Sequence, residues 1–177
     1  DTLIEKHTVD ELVGVLAHEI GHYKLKHVPK SIIAAVLETG LVFFILSLFL
    51  NNKELFAAFK MEHLSIYAGL VFFGFLYSPI SMITSIIMNI FSRKHEYEAD
   101  RFAVNTTGKK NDLITALKKM SIESLSNLTP HPLKVFVNDS HPPVLKRIQA
   151  IKNLILEPPR RGIAFGDPAG GQTFTKY

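Results

Sequence analysis

The sequence predicts an all-α integral membrane protein, with two transmembrane helices inserted into a helical domain. Three observations carry this. The chain is 47% hydrophobic with a mean hydropathy of +0.17, high for a water-soluble domain. Two apolar stretches, residues 31–50 and 64–90, are each long enough to cross a bilayer. Outside them, apolar residues recur with the period of a helix rather than of a strand.

Thr8 and Glu11 have the spacing of a capping box, and Leu12, Val13, Leu16, Ala17 and Ile20 follow on one face. A helix is expected from about residue 9 to residue 27, stopped before Pro29. Residues 31–50, SIIAAVLETGLVFFILSLFL, carry Glu38 as their only charge. A helix of about 20 residues reaches about 30 Å, the thickness of the hydrocarbon core. An ionised carboxylate is costly in mid-span, so Glu38 is expected to face protein or a watery cavity. After a short polar stretch, residues 64–90 carry no charge at all, and Pro79 is the expected kink. A chain of 177 residues has too little other mass to bury two such helices on every side.

Beyond residue 91, SRKHEYEADRFAV continues as a helix leaving the membrane and TGKKND reads as a loop. A second amphipathic helix is expected over residues 112–127. The Pro- and His-bearing loop LTPHPLKVFVNDSHPP then leads to a last helix, VLKRIQAIKNLI. Residues 156–177, rich in Gly and Pro, are expected to form a disordered tail, leaving residues 1–155 as the working domain. The opening DTLIEKHTVDEL starts in mid-flow, and the chain is read as a piece of a longer protein.

The absence of cysteine excludes disulfides, thiol catalysis and thiolate metal sites, so any metal must be held by His, Asp or Glu. The net charge of +4 does not point to nucleic acid, because the basic residues flank apolar stretches as juxtamembrane charges do. The partner they fit is a lipid bilayer. HYKLKHVPK precedes the first span and SRKHE follows the second, whereas the intervening loop balances Lys53 and Lys60 against Glu54 and Glu62. The positive-inside rule then puts both outer flanks in the cytoplasm, of a bacterial inner membrane or of the endoplasmic reticulum. A hairpin of spans returns the chain to the side it left. The segments HEIGH and HEYEAD therefore share one face of the membrane.

In VLAHEIGH, residues 15–22, His18 and His22 are four apart. On a helix they project within about 40° of each other, the reach two imidazoles need to bind one Zn²⁺. Glu19 follows the first histidine directly, where its carboxylate can reach the attacking water rather than the metal. Gly21 is expected to leave the helix surface open beside the site. His27, five on from His22, points elsewhere and is read as juxtamembrane. Catalytic zinc usually has three protein ligands, and HEYEAD offers His95, Glu96, Glu98 and Asp100 for the third. Glu96 and Asp100 share a helix face, so Glu96 is read as the ligand and Asp100 as the carboxylate that holds a ligand histidine's free N–H. A donor to the oxyanion is also needed, and His131, His141 and Arg147 are all candidates.

The segments DTLIEKHTVDELVGVLAHEIGHYKLKH, SRKHEYEADRFA, SNLTPHPL and SHPPVLKRIQAI resemble, in that order, the catalytic part of the integral-membrane zinc CAAX prenyl proteases. The resemblance implies a helical gluzincin-like zinc protease fold and one Zn²⁺ per chain, on His18, His22 and Glu96. It implies Glu19 as general base, Asp100 behind the ligands, and His141 and Arg147 near the substrate and transition state. The implied substrate is a peptide or protein, with the C-terminal tripeptide of prenylated CAAX proteins as the class the family cleaves. The stretch VFVND departs from the aromatic, histidine-bearing stretch the family often has before Ser140. An HtpX-like membrane quality-control protease shares the zinc logic, but the matches at DTLIEKHTVDEL and SNLTPHPL tell against it. A non-catalytic membrane scaffold is the third reading, and a full ligand set with Glu19 argues against that.

Overall fold

Thr8 starts the helix that carries the first two histidines. Its side chain accepts from the backbone N–H of Glu11, and the Glu11 carboxylate accepts in turn from the backbone N–H of Thr8, which completes the expected capping box. The computed structural model describes residues 2–61, 63 and 65–155. Among these there is no strand, and the helices run α1 (Thr2–Lys6), α2 (Val9–Lys24), α3 (His27–Leu50), α4 (Lys53–Ala58), α5 (Ile66–Thr107), α6 (Lys110–Glu123), α7 (Pro132–Asn138) and α8 (Val144–Asn153). The expected tail, residues 156–177, and the expected first residue of the second span, residue 64, lie outside the described residues.

Several boundaries differ from the sequence reading. The helix expected to reach residue 27 ends at Lys24, and the first span begins before Pro29 rather than after it. A proline clashes with the carbonyl four residues back, here that of Leu25, so α2 cannot run on into α3. The break falls at Lys26, which adopts the left-handed conformation at φ 57°. Pro29 then sits in the first turn of α3, where its missing N–H costs nothing. The short helices α1, α4 and α7 were not expected, because each has too few residues to show a period.

The second apolar stretch and HEYEAD belong to one helix. α5 is 42 residues long, about 63 Å, and runs through Pro79 as a single element to Gly108, whose φ of 68° ends it. Only its first part, to about residue 90, is apolar. α3, at 24 residues, reaches about 36 Å. Both helices are long and apolar enough to cross a membrane, and their apolar side chains, Ile33 and Phe43 of α3 and Phe75 of α5 among them, are exposed rather than buried in a core. Hydroxyls within these stretches are satisfied along their own helix, as in Ser47 to the Phe44 carbonyl at 2.7 Å and Ser81 to the Ser78 carbonyl at 2.8 Å. That is what a medium without water requires.

The buried core lies at the other end. Ala17 of α2, Ala103 and Val104 of α5, Leu113, Ile114 and Leu117 of α6, and Ile148 and Ile151 of α8 form one cluster. Three helices, α2, α6 and α8, thus close around the last turns of α5, and α2 is clamped between α5 and α6. The site is built on this clamp.

Candidate active site

His18 and His22 sit one turn apart on α2, on the side that faces α5. α5 presents Glu96 and Asp100, also one turn apart, each almost fully buried at 6% and 2% exposure. The helices can meet this closely because of Gly21. A Cβ there would come within 3.1 Å of Phe102 Cδ1 and 3.2 Å of Ala99 Cα. Gly21 is itself buried, so its use is close helix packing and not the open surface the sequence suggested.

Donor atoms of three residues converge. His18 Nε2 and His22 Nε2 are 3.1 Å apart, His18 Nε2 is 3.7 Å from Glu96 Oε2, and His22 Nε2 is 3.6 Å from Glu96 Oε1. A tetrahedral zinc with bonds of about 2.0–2.1 Å has ligand–ligand edges of about 3.4 Å. The two nitrogens and one carboxylate therefore fit such an ion with one position open. Burial, and His18 beside it, push the His22 pKa below the ordinary histidine value, which favours the neutral ring a metal needs.

The other predicted residues brace or border this triad. His18 Nδ1 lies 3.0 Å from Asp100 Oδ1, so a proton on Nδ1 is held there and Nε2 is left with its lone pair. Arg147 of α8 grips Asp100 with two bonds, Nε to Oδ2 at 2.8 Å and Nη2 to Oδ1 at 2.6 Å, and reaches Glu96 Oε2 with Nη1 at 2.9 Å. Burial alone would raise the Asp100 pKa, but the bonds from Arg147 and His18 outweigh it and hold the carboxyl below its ordinary value. His141, in the loop before α8, is 70% exposed and brings Nδ1 to 3.2 Å from Glu96 Oε1. Glu19 is exposed on α2 and lines, with His18, His22, Glu96, His141 and Arg147, a cleft of about 460 Å³. His131 is elsewhere: its Nδ1 accepts from the Leu133 N–H and caps α7.

Two groups of residues were missed. Asn89 and Arg93 hold the backbone that leads to His141: Asn89 Nδ2 donates to the Val137 carbonyl at 2.9 Å, and Arg93 Nη1 to those of Val135 at 3.0 Å and Asp139 at 2.5 Å. The signal was available, since residues 89, 93, 96 and 100 form one stripe along a helix. His27 was read as juxtamembrane, but it is buried at 2% exposure against His22, Glu98 and His95.

Comparison with known proteins gives a consistent family. The profile of Peptidase family M48 matches residues 1–155. The chain is 37% identical over 147 residues to the CAAX prenyl protease 1 homolog of Homo sapiens, covering 82% of this chain and 31% of that protein. It is 38% identical over 152 residues to the CAAX prenyl protease 1 homolog of Arabidopsis thaliana, covering 85% of this chain and 36% of that protein. Among solved structures, that of S. mikatae Ste24p superposes with a TM-score of 0.71 at 32% identity, over 85% of this chain and 37% of that one. The chain thus spans about a third of the length of these relatives.

Proposed function

The chain belongs to peptidase family M48, and from that premise we propose that it is the catalytic part of a membrane-embedded zinc metalloendopeptidase. It hydrolyses peptide bonds near the membrane surface, with the C-terminal tripeptide of prenylated CAAX proteins as its substrate class, in keeping with the names of its relatives. α3 and α5 cross the bilayer, and the cleft opens on the cytoplasmic face. One observation carries the reading. Donor atoms of His18 and His22 on α2 and of Glu96 near the far end of α5, residues separated in sequence by both spans, converge within 4.8 Å beside a cleft that also holds Glu19.

His18, His22 and Glu96 are the residues that would hold zinc. When bound, zinc polarises the scissile carbonyl and acidifies the attacking water. Glu19, too exposed and too far round the helix to join the ligands, takes the proton from that water and delivers it to the leaving amine nitrogen. His141, on the cleft wall, donates a hydrogen bond to the developing oxyanion. Asp100 keeps the His18 Nδ1 protonated, and Arg147 holds Asp100 and Glu96 in place.

Glu19→Gln should abolish peptide cleavage while zinc stays bound, because it removes the base and no ligand. His18→Ala should lose both. A Glu19→Gln variant that cleaves a test peptide at near wild-type rate would show that another group is the base.

A further inference from the structure

Behind His22, on the side away from the cleft, lies a polar chain that the proposed mechanism does not use. His27 Nδ1 is 3.1 Å from His22 Nδ1, and His27 Nε2 is 3.1 Å from Glu98 Oε2. Lys94 stands next to the same carboxylate, 3.8 Å from Glu98 Oε1. An ionised carboxylate only accepts, so the His27 proton sits on Nε2 and is donated to Glu98. His27 Nδ1 then carries a lone pair. Its short contact with His22 Nδ1 is a hydrogen bond only if His22 Nδ1 holds the proton and donates it. That leaves His22 Nε2 with a lone pair, aimed at the point where His18 and Glu96 converge.

We infer that His27, backed by Glu98, is a positioning residue that fixes His22 as the Nδ1–H tautomer and so presents Nε2 to zinc. The inference rests on the zinc reading above and gives His22 the support that Asp100 gives His18 directly. Local backbone geometry makes it possible. On an uninterrupted helix His27 would project about 140° away from His22. The break at Lys26 and Pro29 swings it back. His95 completes the arrangement by stacking on His27, ring centroids 4.1 Å apart and 11° from parallel, which fixes the plane of the ring.

His27, His95 and Glu98 also bring donor atoms within 4.8 Å of one another, as a second metal site would. The stacking speaks against it. A metal bonds an imidazole in the plane of the ring, and no point lies in the planes of two stacked rings at bonding distance from both. Both nitrogens of His27 are moreover engaged, one by His22 and one by Glu98.

The test is zinc affinity and stoichiometry of the full chain in detergent micelles, by competition with a chelator. Wild type should bind one zinc. His27→Phe, which can still stack on His95 but has no ring nitrogen, should bind it about 10–100-fold more weakly. His27→Asn, whose side-chain oxygen falls where Nδ1 lies, should recover most of that loss, which a merely space-filling role would not. Glu98→Ala should weaken binding by about fivefold or more, and Lys94→Ala should leave it unchanged. Should His27→Phe fail to fold, Glu98→Ala decides alone, since Glu98 is partly exposed. Affinities for His27→Phe and Glu98→Ala within about twofold of wild type, or no advantage of His27→Asn over His27→Phe, would overturn the inference. So would a second zinc in wild type, lost in these variants while the first is unaffected. A wild-type chain that binds no zinc at all would instead overturn the reading of the site, and this inference with it.

Discussion

Glu11 is buried at 4% exposure, yet its surroundings favour the charged form. Lys119 donates to Glu11 Oε2 at 2.7 Å, and this bond is the main reason the carboxyl pKa lies below its ordinary 4.5. Burial acts in the opposite direction, and the Thr8 N–H, bonded at 3.0 Å, adds to the lowering. A carboxylate whose pKa falls on folding stabilises the fold above its unfolded value, and that stability is lost as pH drops through the folded value. Glu11→Gln should therefore cost about 1–2 kcal/mol at neutral pH. The gap between the two melting curves should close as pH falls below 4.5. A gap that persists undiminished in acid would mean that packing, not charge, is what Glu11 contributes. The consequence reaches the site, because Glu11 and Lys119 tie α2, which carries both histidines, to α6.

At the scale of elements, the site depends on how closely α2 approaches α5, and Gly21 sets that distance. The Cβ of an alanine would stand 3.2 Å from Ala99 Cα and 3.3 Å from the Ala99 carbonyl oxygen, and neither backbone atom can turn aside. Gly21→Ala should push the helices apart by a few tenths of an ångström, destabilise by about 1–3 kcal/mol, and weaken zinc binding. Unchanged affinity and melting temperature would show that the helices have slack here. None of this is visible in the sequence, where Gly21 is only the fourth letter of HEIGH. The elements that were legible carry long-range periodic signals: the capped α2, the two apolar stretches, and the Glu96–Asp100 face. His27 was misplaced for a local reason. Its angle follows from a continuous helix, but Pro29, two residues after it, forbids that helix, and the left-handed Lys26 redirects the chain just before it. Asn89 and Arg93 share a stripe with Glu96 and Asp100, but their partners are backbone carbonyls of α7 and its C-terminal flank, so the stripe alone does not say what they hold.

At the scale of the molecule, the zinc-binding proposal and the topology stand together, because a hairpin of two spans must return α2 and the far end of α5 to one side. The charges at the span ends are the ground for the proposed side. Lys24 and Lys26 lie just before α3, Lys30 in its first turn, and Arg93 and Lys94 beyond the apolar part of α5, and the positive-inside rule predicts a cytoplasmic face for such flanks. The chain carries three acceptor sequences for N-glycosylation, at Asn105, Asn127 and Asn138. Asn105 lies within α5 with its side-chain oxygen buried, so its silence would prove little. Asn127 and Asn138 are exposed, and only their position relative to the membrane can protect them from the glycosylating enzymes of the lumen. With the chain expressed in a eukaryotic membrane, neither should be modified. Asn138 is the more telling of the two, because it ends α7 three residues before His141 and a glycan there would crowd the mouth of the cleft. A mobility shift removed by an endoglycosidase and lost in Asn138→Gln would put Asn138 in the lumen. Asn138 is tied to α5 through the bonds of Asn89 and Arg93 to its neighbours, so the whole cleft would have to move with it, and the cytoplasmic placement would fall.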